Sequence, residues 1–147
     1  MKEWFTGVVR GKITSATGKG KKVRETYLVD AMGFTEAENV LVKHAFPSYQ
    51  EAKVISLKRE IIEDVYGVDK GAWWKVIIGE TILNAKGKEK TLKFNYIVSA
   101  CNVGEAKEMI TEKIKGTVND WKILKLEVTP IRDVIIHQEG KPKDELR

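Results

Sequence analysis

The sequence predicts an α+β fold: a tandem duplication of a β-β-α-β unit with pseudo-twofold symmetry, its antiparallel sheet carrying helices on one face. Three observations predict this. Shifting the numbering by 69 (73 − 4) lays one segment over another without a gap, beginning with Trp4 on Trp73. The shift matches Ile13/Ile82, Gly18/Gly87, Lys19/Lys88, Lys21/Lys90, Tyr27/Tyr96, Val29/Val98, Ala31/Ala100, Glu36/Glu105, Ala37/Ala106, Lys53/Lys122, Leu57/Leu126, Ile62/Ile131, Asp64/Asp133 and Val65/Val134. Inside each segment, stretches of period-two alternation flank one stretch of helical spacing, and glycine-bearing turns punctuate them.

The elements follow in order. Trp4 to Ile13 reads as a strand, Ser15 to Gly20 as a turn, and Val23 to Ala31 as the returning strand of a hairpin. The second segment repeats this with Trp73 to Leu83, Asn84 to Lys88, and Leu92 to Ala100. A helix comes next in each. Phe34, Ala37, Val40, Leu41 and Ala45 form one apolar stripe, as do Val103, Ala106, Met109, Ile110 and Ile114. Asn102 with Glu105 makes a capping pair, Gly33 with Glu36 holds the same places, and Thr35 with Glu38 competes in the first segment. Pro47 and Gly116 end the helices. Third strands follow over Ala52 to Ile62 and Trp121 to Ile131, where Pro130 implies a strand end or edge. The expected layout is a first copy over residues 1–66, a linker over 67–72, a second copy over 73–136, and a disordered charged tail over 137–147.

A lone copy of about 65 residues would be marginal, so in a chain of 147 residues the two copies are expected to share one core or pack tightly. No apolar run approaches the ~20 residues of a membrane-spanning helix, and no basic-then-apolar leader opens the chain. Cys101 is the single cysteine, so no internal disulfide is possible, and a small apolar role is expected for it.

Charge placement matters more than the net +5. Lys19, Lys21, Lys22 and Arg24 cluster at one hairpin, and Lys86, Lys88, Lys90 and Lys93 at the other. Concentrated positive charge suits a polyanion, while a purely solubilising role is the competing reading. Alternation separates the sheet faces. Phe5, Gly7, Val9 and Ile13, with Trp74, Val76, Ile78 and Ile82, should meet the helices, and Tyr27 and Tyr96 should lie in the core. The opposite face carries Trp4, Arg10, Lys12, Arg24 and Leu28 in one segment, and Trp73, Lys75, Ile77, Lys93 and Ile97 in the other. Either the two copies cover these faces or a partner does.

Catalytic patterns are sparse. The two histidines, His44 and His137, lie in a helix and in the tail, and no cysteine and histidine set has zinc spacing. Gly18 to Lys22 imitates a phosphate loop, but no helix N-terminus follows it. Asp64 and Asp133 read as loop aspartates capping local backbone rather than as an acid pair. A non-enzymatic protein without cofactor or metal is therefore expected.

The blocks Tyr27 to Ala31 and Phe34 to Glu38, the opening Trp4-Phe5 and the late Thr129 to Val134 resemble the bacterial and phage group catalogued as domain-of-unknown-function family 4494. The resemblance spans residues 1 to about 136 and implies a small cytoplasmic protein of a bacterium or its phage; it supplies no site residues. The function expected from the residues is binding of nucleic acid, preferably single-stranded DNA. Lys19, Lys21, Lys22, Arg24, Lys86, Lys88, Lys90 and Lys93 would hold phosphates, helped by Arg10, Lys12 and Lys75. Trp4 and Trp73 would stack on bases, at about 1–3 kcal/mol per base. The alternative is a protein-interaction or phage structural module, including self-association, that uses its sheet face or edges.

Overall fold

Alternation in Glu3–Thr14 puts Phe5, Gly7, Val9 and Gly11 on one side of an extended chain, and all four are buried in the computed structural model, which describes residues 3–67 and 71–136. This strand, β1, is followed by β2 (Gly20–Ala31), α1 (Phe34–His44), β3 (Gln50–Glu60), β4 (Asp64–Tyr66), β5 (Ala72–Leu83), β6 (Glu89–Ala100), α2 (Val103–Ile114), β7 (Asp120–Val128) and β8 (Ile131–Ile135). Both hairpins turn through a glycine in the left-handed region, Gly18 at φ 81° and Gly87 at φ 77°, a conformation open to a residue without Cβ. Asn102 caps α2, its Oδ1 accepting the Glu105 N–H at 2.8 Å. Gly33 occupies the same place before α1 without a side-chain cap, and Glu36 instead accepts the Met32 N–H at 3.0 Å. The competing start at Thr35 is not used.

Two four-stranded sheets result, ordered β3-β1-β2-β8 and β4-β6-β5-β7. The β1–β2, β1–β3, β5–β6 and β5–β7 pairings are antiparallel, whereas β8 lies parallel to β2 and β4 parallel to β6. The single antiparallel sheet expected from sequence is thus corrected to two mixed sheets. The physical reason is strand exchange. After β3 the chain does not turn back on itself; it supplies β4 to the sheet of β5–β7, and after β7 it supplies β8 to the sheet of β1–β3. A strand that arrives without a hairpin is free to pair in the parallel sense. The described residues accordingly form two compact units, one made of residues 3–61 with 131–136, the other of residues 62–67 with 71–130. The expected tail over 137–147 and linker positions 68–70 lie outside the described residues.

Within the first unit, α1 places Val40 and Leu41 against Val9, Tyr27 and Val29, and Ala37 against Phe5 and Ala31. Full burial of a leucine such as Leu41 contributes roughly 1.5–3 kcal/mol. Gly7 permits that approach, because a Cβ there would lie 2.5 Å from Leu41 Cδ1. Phe34 stays 47% exposed, yet its ring meets Phe5 edge-on at 5.0 Å. Within the second unit, Ala106, Ile110 and Ile114 of α2 pack on Val76, Ile78, Val98 and Ala100, and Trp74 donates its indole N–H to the Ala100 carbonyl at 3.0 Å. Tyr27 and Tyr96 join the cores as their alternation requires. Asp64 opens β4 and Asp133 lies in the middle of β8, so neither is the loop residue expected, although each carboxylate accepts the N–H of the following residue, 2.8 and 2.9 Å away. No helix among the described residues is long and apolar enough to cross a membrane.

Candidate functional site

Cross-strand register decides which charged side chains become neighbours. On β1, Arg10 stands opposite Arg24 of β2 and Lys53 of β3; Lys12 stands opposite Lys22 and Gln50. Partners in register share a face and lie about 5 Å apart, and the next row is roughly 7 Å away. Lys53, Arg10 and Arg24 therefore form one basic row across three strands, with Lys12 and Lys22 in the row beyond. The face is the one away from α1, where Arg10, Lys22, Arg24 and Lys53 are all exposed. Like charges placed directly opposite destabilise a sheet. Among the described residues the one carboxylate to enter this group is Glu51, whose Oε2 lies 2.8 Å from Lys12 Nζ, and the contact with Lys12 holds its carboxyl below the ordinary range. Arg10, Lys22, Arg24 and Lys53 make no ion pair with another described residue.

The corresponding rows of the second sheet differ. Gly79 takes the place of Arg10, between Lys93 and Lys122, and Thr81 takes that of Lys12, between Thr91 and Asp120. Leu124 fills the space a larger residue would need, since a Cβ on Gly79 would lie 2.8 Å from Leu124 Cδ1. The two hairpins carry clusters of four cations each in sequence but unequal faces in space.

The other expected cations scatter. Lys19, Lys86 and Lys88 lie in or beside the turns, while Lys21 and Lys90, opposite Ile13 and Ile82, belong to the other face of their hairpins. Lys75 is half-buried opposite Ile97 and Glu127, far from any tip. Lys53 and Glu51 escaped the sequence reading, because the register of β3 on β1 was not visible; the duplicated Lys53/Lys122 position was the only signal.

The tryptophans require a correction. Trp73 is 5% exposed, so in this structure it offers no ring face to a base, and its Nε1 finds no hydrogen-bond partner. Its carbonyl accepts both the N–H and the hydroxyl of Thr129. In its own sheet Ile97 and Ser99 are buried as well, and Leu28 and Asp30 are buried at the corresponding end of the first sheet. Trp4 remains half-buried, but Asp30 and Glu60 stand opposite it on either side, so its surroundings are acidic. Arg10 lies six residues beyond Trp4, about 20 Å along the strand. Indole and cations thus occupy opposite ends of β1. Cys101 is exposed rather than the packed apolar side chain expected. No group of three or more potential metal-ligating residues occurs among the described residues.

Chemically, the face can do one thing well: present five cations against one carboxylate to an extended anion. No curated protein matches the chain. The family model described as Domain of unknown function (DUF4494) matches residues 3–138, and the chain belongs to that family.

Proposed function

We propose that the protein is a non-catalytic nucleic-acid-binding protein that grips the phosphate backbone with the face of its first hairpin. The observation that carries this is the row Lys53–Arg10–Arg24, with Lys12 and Lys22 beside it. The row spans about 10 Å. Each of its three cations can neutralise one phosphate, so the row accounts for about three phosphate contacts. Backbone contact of this kind confers affinity without sequence choice. Base stacking has lost its support with the burial of Trp73, so the proposal favours neither single strands nor duplexes. We also infer that the two halves descend from one duplicated unit. The ungapped shift and the matching strand orders support that descent, and the unequal faces fit a later division of roles.

Fluorescence anisotropy with labelled oligo-dT and a mixed-sequence duplex tests the proposal. Both should bind at low salt. For the single strand, three phosphate contacts predict a log–log salt slope of about −2. Arg10→Gln with Lys53→Gln should abolish most of the affinity, and Lys90→Gln with Lys93→Gln much less. Absence of binding at low salt, or equal losses from both pairs, would refute it.

A further inference from the structure

The first sheet departs from the second at one point that the shared strand order does not require. Between Arg10 and Lys12 the pairing with β3 slips, Arg10 facing Lys53 and Lys12 facing Gln50. The second sheet runs through the same stretch without a slip, from Gly79/Lys122 to Thr81/Asp120. Glu51 and Ala52 together stand opposite Gly11, which makes a β-bulge. Glu51 has φ 54° and is the one non-glycine with positive φ among the described residues. Such a residue is held in the left-handed region against its own preference, and outliers of this kind cluster where a ligand is handled.

The bulge has a definite effect. It turns the Glu51 carboxylate onto Lys12, in a hollow lined by Arg10, Gly11, Lys12 and Lys22. A carboxylate offers the same features as the exposed oxygens of a phosphodiester, one negative charge and two acceptors. We propose that this hollow is a phosphate site whose resident occupant is Glu51, and that a nucleic-acid phosphate binds by displacing Glu51 from Lys12. The proposal rests on the nucleic-acid reading above and adds to it a built-in competitor. Glu51 keeps Lys12 aligned while no ligand is present and lowers affinity for any anion too weak to replace it.

The test compares the whole chain with its Glu51→Gln variant, which keeps side-chain length and bulge while removing the charge, in oligo-dT anisotropy at low salt. The variant should bind about two- to fivefold tighter, the gain expected from releasing one exposed ion-paired lysine. Adding Lys12→Gln should erase the gain. Glu51→Gly, which also relieves the left-handed backbone, should reproduce it. If the wild type binds and Glu51→Gln binds no tighter, or the gain survives without Lys12, the displacement is overturned and the nucleic-acid reading stands. If neither protein binds oligo-dT at low salt, both fall.

Discussion

Replacing Arg24 with glutamine should make the fold more stable and the nucleic-acid complex weaker. Arg24 stands directly opposite Arg10, which is itself opposite Lys53, and no described carboxylate neutralises the row. Cross-strand pairs contribute about 0.2–1 kcal/mol each, and like charges count against the fold by a similar amount. Arg24→Gln removes one repulsive pair directly and weakens a second, more distant one, so a gain of about 0.5 kcal/mol is expected. For a chain of this size that raises the melting temperature by about 1–2 °C. The repulsion acts through solvent, so the gain should shrink once the screening length falls well below its ~10 Å at 0.1 M salt. Thermal melts of wild type and variant at low and high salt measure this directly, and anisotropy with oligo-dT measures the accompanying loss of affinity. A variant that is less stable at low salt, or whose gain is independent of salt, would show that Arg24 is held by contacts the register does not predict. The trade of stability for affinity is the expected mark of a face kept for a ligand.

Further outcomes follow from other contacts. Gly11→Ala would set a Cβ 2.6 Å from Tyr49 Cβ, a close approach that side-chain rotation cannot relieve, and should cost about 1–3 kcal/mol in a urea melt; an unchanged midpoint would contradict it. The Tyr66 hydroxyl is pushed up to about 12, chiefly by burial and then by the Asp64 charge; Tyr96 is raised by burial and by Glu63, and Tyr27 by burial and its hydrogen bond to Tyr49. A raised folded value favours the neutral hydroxyl, so this stability is fully present below pH 10 and is lost as pH rises from 10 toward about 12. Urea midpoints should fall over that window, and Tyr66→Phe should flatten the fall. Because Trp73 is buried and Trp4 lies far from the cations, oligo-dT should bind with little quenching of tryptophan emission. Strong quenching would place the ligand at the other end of β1.

Much of the local structure was legible in the residues. Alternation in Phe5, Gly7 and Val9 named the buried side of β1, the stripe of Ala37, Val40 and Leu41 named that of α1, and the Asn102 cap marked the start of α2. These signals are local, and local chemistry fixes them. The exchanged strands were not legible. Asp64–Tyr66 and Ile131–Ile135 are short, and their parallel partners lie far away in sequence with no turn to announce the pairing. Burial of Trp73 was hidden for a related reason: alternation tells which side a residue takes, not whether that side is covered. The basic row was half legible. Arg10, Lys12, Lys22 and Arg24 follow from the hairpin register, which the turn sets, but Lys53 joins them through the register of β3 on β1, which no tight turn announces.

The most direct measurement is backbone-amide NMR during titration with oligo-dT. Shift changes confined to residues 10–12, 20–24 and 50–53, with the equivalent stretches 79–81, 89–93 and 119–122 unmoved, are the result predicted by a face that exists on one sheet only. Changes centred on Trp4 and Trp73, or spread equally over both hairpins, would contradict it.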